Sequence, residues 1–143
     1  MERLEKVYTV KLSEIPKVTA DIEAFCEKNG VGADACFAFT LALDELFTNI
    51  VSYGFPVDSE EKVQMELSLE KGAMKVVLKD SSPEFDPFTD APDPELKGGL
   101  EERNVGGLGI FFVKKSMDEV KYARKNGVNE VTLLKKLKGA VDA

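Results

Sequence analysis

The sequence VQMELSLEKGAMKVVLKD, residues 63–80, decides the fold class of this 143-residue chain. Apolar and polar residues alternate on both sides of Lys71-Gly72, and a period of two predicts two β-strands. Lys71-Gly72 has the chemistry of a tight turn, so the two strands are expected to form a hairpin. The apolar residues that share one side of this hairpin are Val63, Met65, Leu67, Leu69, Met74, Val76 and Leu78.

Asp80 ends the second predicted strand. It has the parity of Met74, Val76 and Leu78, which should face the core. A carboxylate at the end of a core-facing row is costly unless a hydrogen-bond donor meets it. The donor is either an amino group of a ligand or a backbone amide in the following turn, and the spacing does not choose between them.

Downstream of the hairpin, residues 81–104 show no sustained periodicity and contain four prolines and two glycines. A connection of that length inside a compact domain is typical of a lid or binding loop. The segment Gly-Gly-Leu-Gly at 106–109 then opens a helix predicted over 108–117. Glycines allow a phosphate to approach the free N–H groups of a first helical turn. A hinge or tight helix–sheet packing is the alternative reading.

Upstream of the hairpin, apolar residues at three- and four-residue steps predict two helices, one ending at Asn29-Gly30 and one over about 33–52. In the second helix Glu45 and Asn49 are four residues apart and therefore project from one face. They continue a strip of small residues that would leave room for a ligand. A solvated helix face is the alternative.

Three more strands complete the predicted order of elements. A short N-terminal strand is expected around Val7, Val10 and Leu12, and a C-terminal pair on either side of Asn126-Gly127. The order predicts one α+β domain over residues 1–143. Its expected architecture is a two-layer α/β sandwich, with helices covering one face of a mixed, mostly antiparallel sheet.

Composition excludes several classes of function. The net charge of -7 argues against direct binding of nucleic acid, which needs a basic face. No apolar run approaches the roughly 20 residues of a membrane span, and the N-terminus lacks a secretory signal, so a cytoplasmic protein with no membrane partner is expected. Without histidine, and with only Cys26 and Cys36 as thiols, the chain has no ligand set for zinc.

Three segments, taken in order, resemble the N, G1 and G2 boxes of the GHKL ATPase superfamily. They are residues 45–49 (Glu-Leu-Phe-Thr-Asn), 80–86 (Asp-Ser-Ser-Pro-Glu-Phe-Asp) and 106–110 (Gly-Gly-Leu-Gly-Ile). Within that superfamily the chain most resembles the anti-sigma factor serine/threonine kinases of bacteria, through residues 41–46 (LALDEL) and 113–120 (VKKSMDEV). It departs from the pattern at Ser82, where glycine is usual, and at Tyr53, where a histidine is frequent.

The resemblance implies the histidine-kinase-like (Bergerat) fold, with ATP and Mg²⁺ as cofactors and a lid at about 82–105. Glu45 would be the general base, Asn49 would hold Mg²⁺, and Asp80 would accept a hydrogen bond from the adenine amino group. The expected nucleotide-binding residues are Asn49, Asp80, Ser82, Phe85, Arg103, Gly106, Gly107, Leu108, Gly109 and Asn129.

The function implied is phosphorylation of a serine on a small anti-anti-sigma-type antagonist protein, with a sigma factor as a possible second partner and a homodimer as the expected assembly. The alternative is a non-catalytic protein-binding module of the same fold, either nucleotide-dependent or degenerate. ATP hydrolysis that drives dimer closure ranks last. The chain cannot phosphorylate a histidine of its own, because it contains none.

Overall fold

A computed structural model describes residues 2–56, 60–89 and 105–137 as one five-stranded sheet and three α-helices. In chain order the elements are β1 Arg3–Thr9, α1 Ile15–Lys28, α2 Ala33–Asn49, β2 Lys62–Glu70, β3 Ala73–Asp80, α3 Val105–Ser116, β4 Glu119–Lys125 and β5 Val128–Lys136. A 3-10 turn, Leu12–Glu14, precedes α1, and a π-helical turn, Ile50–Gly54, follows α2.

The predicted hairpin is confirmed as β2 and β3, with Leu67 opposite Val76 and Met65 opposite Leu78. Its turn places Lys71 and Gly72 at positive φ angles of 46° and 78°, the left-handed conformation that two-residue hairpin turns require.

The strand order is β1-β2-β3-β5-β4, and all four pairings are antiparallel. The predicted α+β sandwich is therefore confirmed, but the parallel pair that a mixed sheet would contain is not found among the described strands. The reason is the position of β5. The chain leaves β3, passes through α3 and returns as β4, which runs parallel to β3, but β5 lies between the two.

The core lies between one face of the sheet and the helices. Met65, Met74 and Val76 of the inner face have no exposed surface, and the same is true of Phe39 and Leu43 of α2. The outer face is polar: Arg3 and Lys79 both form ion pairs with Glu66, at 2.6 and 3.0 Å. The helices thus cover one face only, as predicted.

The N-terminal strand exists, but its expected apolar residues do not share the core face. Val7 pairs with Gln64 on the outer face and is exposed, while Tyr8 pairs with Val63 and is buried. Leu12 lies in the 3-10 turn after the strand and is also exposed. Val7, Val10 and Leu12 were predicted to lie in one strand, whereas Val10, which is buried, follows the strand and does not continue its alternation.

Helix α2 and its π-helical turn form a continuous stretch of 22 residues, long and apolar enough by length and composition to cross a membrane. By this criterion of length and composition, the prediction that the chain has no stretch able to cross a membrane was wrong. In the fold, Phe39 and Phe47 of α2 are fully buried in the core shared with the sheet. The hydropathy of α2 thus reflects its place as the central helix, packed between α1 and α3.

The π-helical turn brings the end of α2 against the end of β3. A Cβ atom added to Gly54 would lie 2.9 Å from the Cβ of Ser82 and 3.1 Å from its Oγ. Real Cβ atoms do not approach that closely, so glycine permits this contact. The contact places Asn49, at the end of α2, beside the residues that follow Asp80.

We predict that Gly54→Ala lowers the free energy of unfolding by about 1–3 kcal/mol, because the added methyl overpacks a buried contact. Ser52→Ala, an exposed change in the same turn, should alter it by less than about 0.5 kcal/mol. Urea denaturation measures both values.

The Gly54→Ala/Ser82→Gly double variant tests the cause. Removing the Ser82 side chain opens the space for the added methyl. The double variant should therefore lose less free energy of unfolding than the sum of the losses in Gly54→Ala and Ser82→Gly, with a coupling energy of about 0.5–3 kcal/mol. Strict additivity would contradict the assigned contact.

Candidate functional site

Asn49, Asp80, Ser82 and Asn129 are the buried polar residues of the part of the chain that the structure describes, with exposed fractions of 3–9%. All four were predicted as site residues from the sequence. Their proximity follows from strand register, because Asp80 at the end of β3 lies directly opposite Asn129 of β5. Asp80, Ser82 and Asn129 therefore form one buried polar cluster at the end of the sheet, and Asn49 lines the same cleft.

Asp80 receives its donors from the turn that follows it. The Ser82 backbone N–H donates to Asp80 Oδ1 at 2.9 Å, and the Ser82 hydroxyl donates to the same oxygen. The backbone-amide alternative is thus realised at Oδ1. Asp80 Oδ2 accepts no hydrogen bond from any described residue, although Asp80 lines a cleft. An acceptor oxygen therefore remains available to a ligand that carries a donor.

Ser82 adopts this arrangement without a left-handed backbone, since the positive-φ residues other than glycine in the described chain are Lys71 and Asn126. Its side chain lies in the space between Asp80 and Gly54. Serine at this position thus replaces the usual glycine by supplying a hydrogen bond to the carboxylate.

The amide of Asn129 connects the sheet to the start of the long loop. Its Nδ2 donates to the backbone oxygens of Ser82 and Pro83, both at 3.1 Å, and lies 3.2 Å from Asp80 Oδ1. Its Oδ1 accepts from the Phe85 backbone N–H at 3.4 Å. An asparagine side chain can bind both the sheet and the loop because its amide carries two N–H donors and an acceptor oxygen. The Asn129 side chain therefore binds residues 82–85 at several points beside the cleft.

Two residues of this cluster were missed by the sequence reading. Arg124 donates to Ser82 O at 2.6 Å and to Asn129 Oδ1 at 3.1 Å, and the hydroxyl of Tyr122 also donates to Asn129 Oδ1. Arg124 lies directly opposite Asn129 in the β4–β5 hairpin. Counting back from the turn at Asn126-Gly127 would have paired the two residues, so a signal for Arg124 was present.

The cleft beside the cluster has a volume of about 150 Å³. Its walls are mainly apolar, and the exposed Tyr53 lies at its edge. The apolar lining residues are Leu46, Ile50, Leu78, Phe85 and Val131, and the polar ones include Asn49, Asp80, Ser82 and Asn129. Apolar walls around one unpaired carboxylate oxygen fit a flat heterocycle that carries an amino group.

Glu45 lies outside this cleft, in a groove between α2 and α3. Burial raises the pKa of the Glu45 carboxyl; a hydrogen bond from the Asn49 side chain lowers this pKa, and the charge of Asp44 raises it. The predicted pairing of Glu45 and Asn49 on one helix face is therefore realised. Because Asn49 lines the cleft and contacts Glu45, it joins the cleft to the groove.

The glycine-rich segment begins α3. The helix starts at Val105, three residues earlier than predicted, so Gly106 and Gly107 belong to its first turn. Glycine at 109 leaves room for the carboxylate of Glu45 in its present position, since a Cβ atom there would meet that side chain. The first-turn N–H groups lack helical partners in any case, so this start is compatible with the phosphate reading. Leu108 lies in the same turn, while Arg103 and residues 90–104 of the predicted lid lie outside the described residues.

Comparison with known proteins supports the predicted resemblance. The model of the histidine kinase-like ATPase domain matches residues 8–135. Serine/threonine-protein kinase BtrW of Bordetella bronchiseptica is 27% identical over 132 residues, which cover 90% of this chain and 92% of BtrW. Serine-protein kinase RsbW of Listeria innocua is 25% identical over 113 residues, which cover 77% of this chain and 72% of RsbW.

Solved structures agree in fold. The RsbU and RsbW domains of a Mycobacterium tuberculosis protein match 96% of this chain with a TM-score of 0.69 and 14% identity, although the match spans only 33% of that longer chain. A histidine kinase domain from Erythrobacter litoralis matches 90% of this chain, and 61% of its own, with a TM-score of 0.56 and 16% identity. Since the family match takes in three complete strands, most of β5 and all three helices, the chain belongs to the histidine kinase-like ATPase domain family.

Proposed function

We propose that this protein is an ATP-dependent protein serine kinase of the anti-sigma-factor type, which phosphorylates a serine of a small antagonist protein. One observation carries the proposal: Asn49 lines the cleft that contains Asp80, and it lies one helical turn after Glu45, whose carboxyl pKa its side chain lowers. A nucleotide site and a candidate base are thereby joined within one helical turn. The names of BtrW and RsbW as serine kinases point the same way.

The nucleotide base would be held by Asp80, whose Oδ2 is free to accept a hydrogen bond from the adenine amino group. Ser82 and Asn129 fix the orientation of this carboxylate through Oδ1. Phe85 lines the same cleft, and its backbone N–H donates to Asn129. The start of the proposed lid, residues 82–105, would thus be anchored at the adenine end of the site.

At the phosphate end, Asn49 would hold Mg²⁺, and the first turn of α3 would face the phosphates through Gly106, Gly107 and Gly109. Mg²⁺ bound with ATP would supply neutralisation of the phosphate charge, and Asn49 would offer it an amide oxygen. Arg103 stays a prediction for the same role.

Glu45 would accept the proton of the serine hydroxyl as the phosphoryl group transfers. It is half-buried between α2 and α3, and its pKa is raised mainly by that burial. A carboxylate with a raised pKa is a stronger base once it is deprotonated. The product phosphoserine would carry about -1.5 to -2 charges and would be repelled by an acidic surface. The antagonist would then be released, and a sigma factor would be a further partner. The protein would act as a homodimer in the cytoplasm.

The second candidate function is a non-catalytic binding module. The observation in its favour is that Ser82 already occupies one oxygen of Asp80 with two hydrogen bonds, which halves the acceptor capacity offered to adenine. In this case the domain would dock a partner without transferring phosphate.

Thermal unfolding with and without ATP and Mg²⁺ separates the two functions. The kinase proposal predicts stabilisation by about 2.7 kcal/mol when the nucleotide is at roughly 100 times its Kd. An unchanged Tm at millimolar nucleotide, together with no heat of binding in titration calorimetry, would favour the binding module.

Replacement of the proposed base tests the catalytic step. Glu45→Gln should lower phosphate transfer to a cognate antagonist by about 10²–10⁴-fold, because the amide cannot accept the proton, while ATP affinity is retained. Glu27→Gln, at an exposed position on α1, should transfer phosphate at the wild-type rate. Equal rates in wild type and Glu45→Gln would remove Glu45 from this role.

As the pH is lowered, the rate of phosphate transfer should begin to fall at a higher pH than it would with a glutamate of ordinary pKa. Glu45 must be deprotonated to accept a proton, and its raised pKa places that requirement at higher pH. Asp44→Asn removes a charge that raises this pKa, so its acid limb should move to lower pH. Rate profiles for wild type, Asp44→Asn and Glu27→Gln measure the shift; coincident limbs in all three would refute the assignment.

A further inference from the structure

The groove between α2 and α3, here called the α2–α3 groove, has a volume of about 500 Å³ and is distinct from the cleft that contains Asp80. Ala38, Ala42 and Gly109 line it with little side-chain bulk. Along its edges stand three large apolar side chains that are unusually exposed, Phe37 at 66%, Leu41 at 49% and Phe112 at 51%.

These three side chains form one surface. Phe37 and Leu41 are four residues apart on α2 and share a helix face, and Phe112 lines the same groove from α3. Scattered apolar residues on a protein surface need no explanation, but contiguous ones around a concave site mark a binding surface. The other large exposed apolar residues of the described chain, Val7, Leu12 and Tyr53, do not line this groove.

Glu45 and Asp34 line the groove at different positions along α2. Its carboxylate lies against Gly109, whereas Asp34 lines the groove eleven residues earlier on α2. At 1.5 Å per helical residue, the two are about 16 Å apart along the axis. An extended polypeptide covers that distance with about five residues at roughly 3.3 Å each. A short segment could therefore lie along the groove with a hydroxyl at Glu45.

The charges that line the groove are unequal. Asp34, Asp44 and Glu45 contribute carboxylates, and Lys115 is the one basic residue among the described lining residues. A segment with a basic side chain beside its apolar residues would complement this surface, and an acidic one would be repelled.

We propose that the α2–α3 groove binds the segment of the antagonist protein that carries the acceptor serine. An apolar side chain of that segment lies among Phe37, Leu41 and Phe112, and separate basic side chains face Asp34 and Asp44. The inference rests on the proposed kinase function and adds to it the surface and the chemistry of the substrate. It also accounts for product release, because the phosphoserine would lie beside the carboxylates of Asp44 and Glu45.

The test uses the small anti-anti-sigma-type proteins encoded in the same genome, each purified and incubated with the full chain and radiolabelled ATP. The protein that wild type phosphorylates then serves as substrate. Phe37→Ala and Phe112→Ala should each raise its KM about fivefold or more, as expected for buried aromatic anchors, with unchanged ATP affinity. Asp34→Lys should raise KM as well. Val7→Ala and Leu12→Ala, which shorten exposed apolar side chains elsewhere, should leave KM unchanged.

Three results would overturn the inference in different ways. A wild-type KM in both phenylalanine variants, with active wild type, would remove the groove as the docking surface and leave the kinase function intact. Dissociation of a dimer by Phe37→Ala and Phe112→Ala in sedimentation, again at unchanged KM, would assign the groove to a second copy of the chain. Absence of transfer by wild type to every antagonist, despite ATP binding, would overturn the kinase function and the docking proposal together.

Discussion

The side-chain amide of Asn129 holds together the three parts of the molecule that form the cleft. Asn129 lies on β5, between β3 and β4. Its amide forms hydrogen bonds with Asp80, at the end of β3, and with the backbone of residues 82–85. Its amide oxygen also accepts hydrogen bonds from Tyr122 and Arg124 of β4. Buried polar groups of this kind are costly unless all are paired. The network satisfies them and leaves one carboxylate oxygen of Asp80 open to the cleft, which makes the site receptive to an amino group.

Two glycines set the distances on which the rest of the site depends. Gly54 allows the end of α2 to approach Ser82, and Gly109 allows α3 to approach Glu45. In both cases a methyl group would occupy space that a site residue already fills. The cleft and the groove are therefore fixed by close packing of backbone against side chain, and Asn49 lies at the point where they meet.

Much of this arrangement follows from sequence pattern. The alternation in β2 and β3 identified the hairpin and placed Asp80 on the buried side, and the stripe of α2 placed Glu45 and Asn49 together. Other features escaped prediction for physical reasons. Val10 and Leu12 were included in the N-terminal strand, which ends at Thr9, because apolar residues continue beyond its end. Arg124 was missed because its role depends on a cross-strand partner. The start of α3 was placed three residues late because glycines, poor helix formers, occupy its first turn.

The sequence by itself determined most of the elements, because periodicity and turn chemistry are local properties of the chain, and its resemblance to a family indicated the four polar residues that end up buried. Where the sequence left two roles open for a residue, only the tertiary structure decided between them. It showed that Ser82 supplies a donor to Asp80, that Gly109 makes room for Glu45, and that Glu45 lies in a groove separate from the cleft. These outcomes depend on contacts between residues as many as 64 positions apart, from Glu45 to Gly109, and no local pattern records which atoms meet over such a separation.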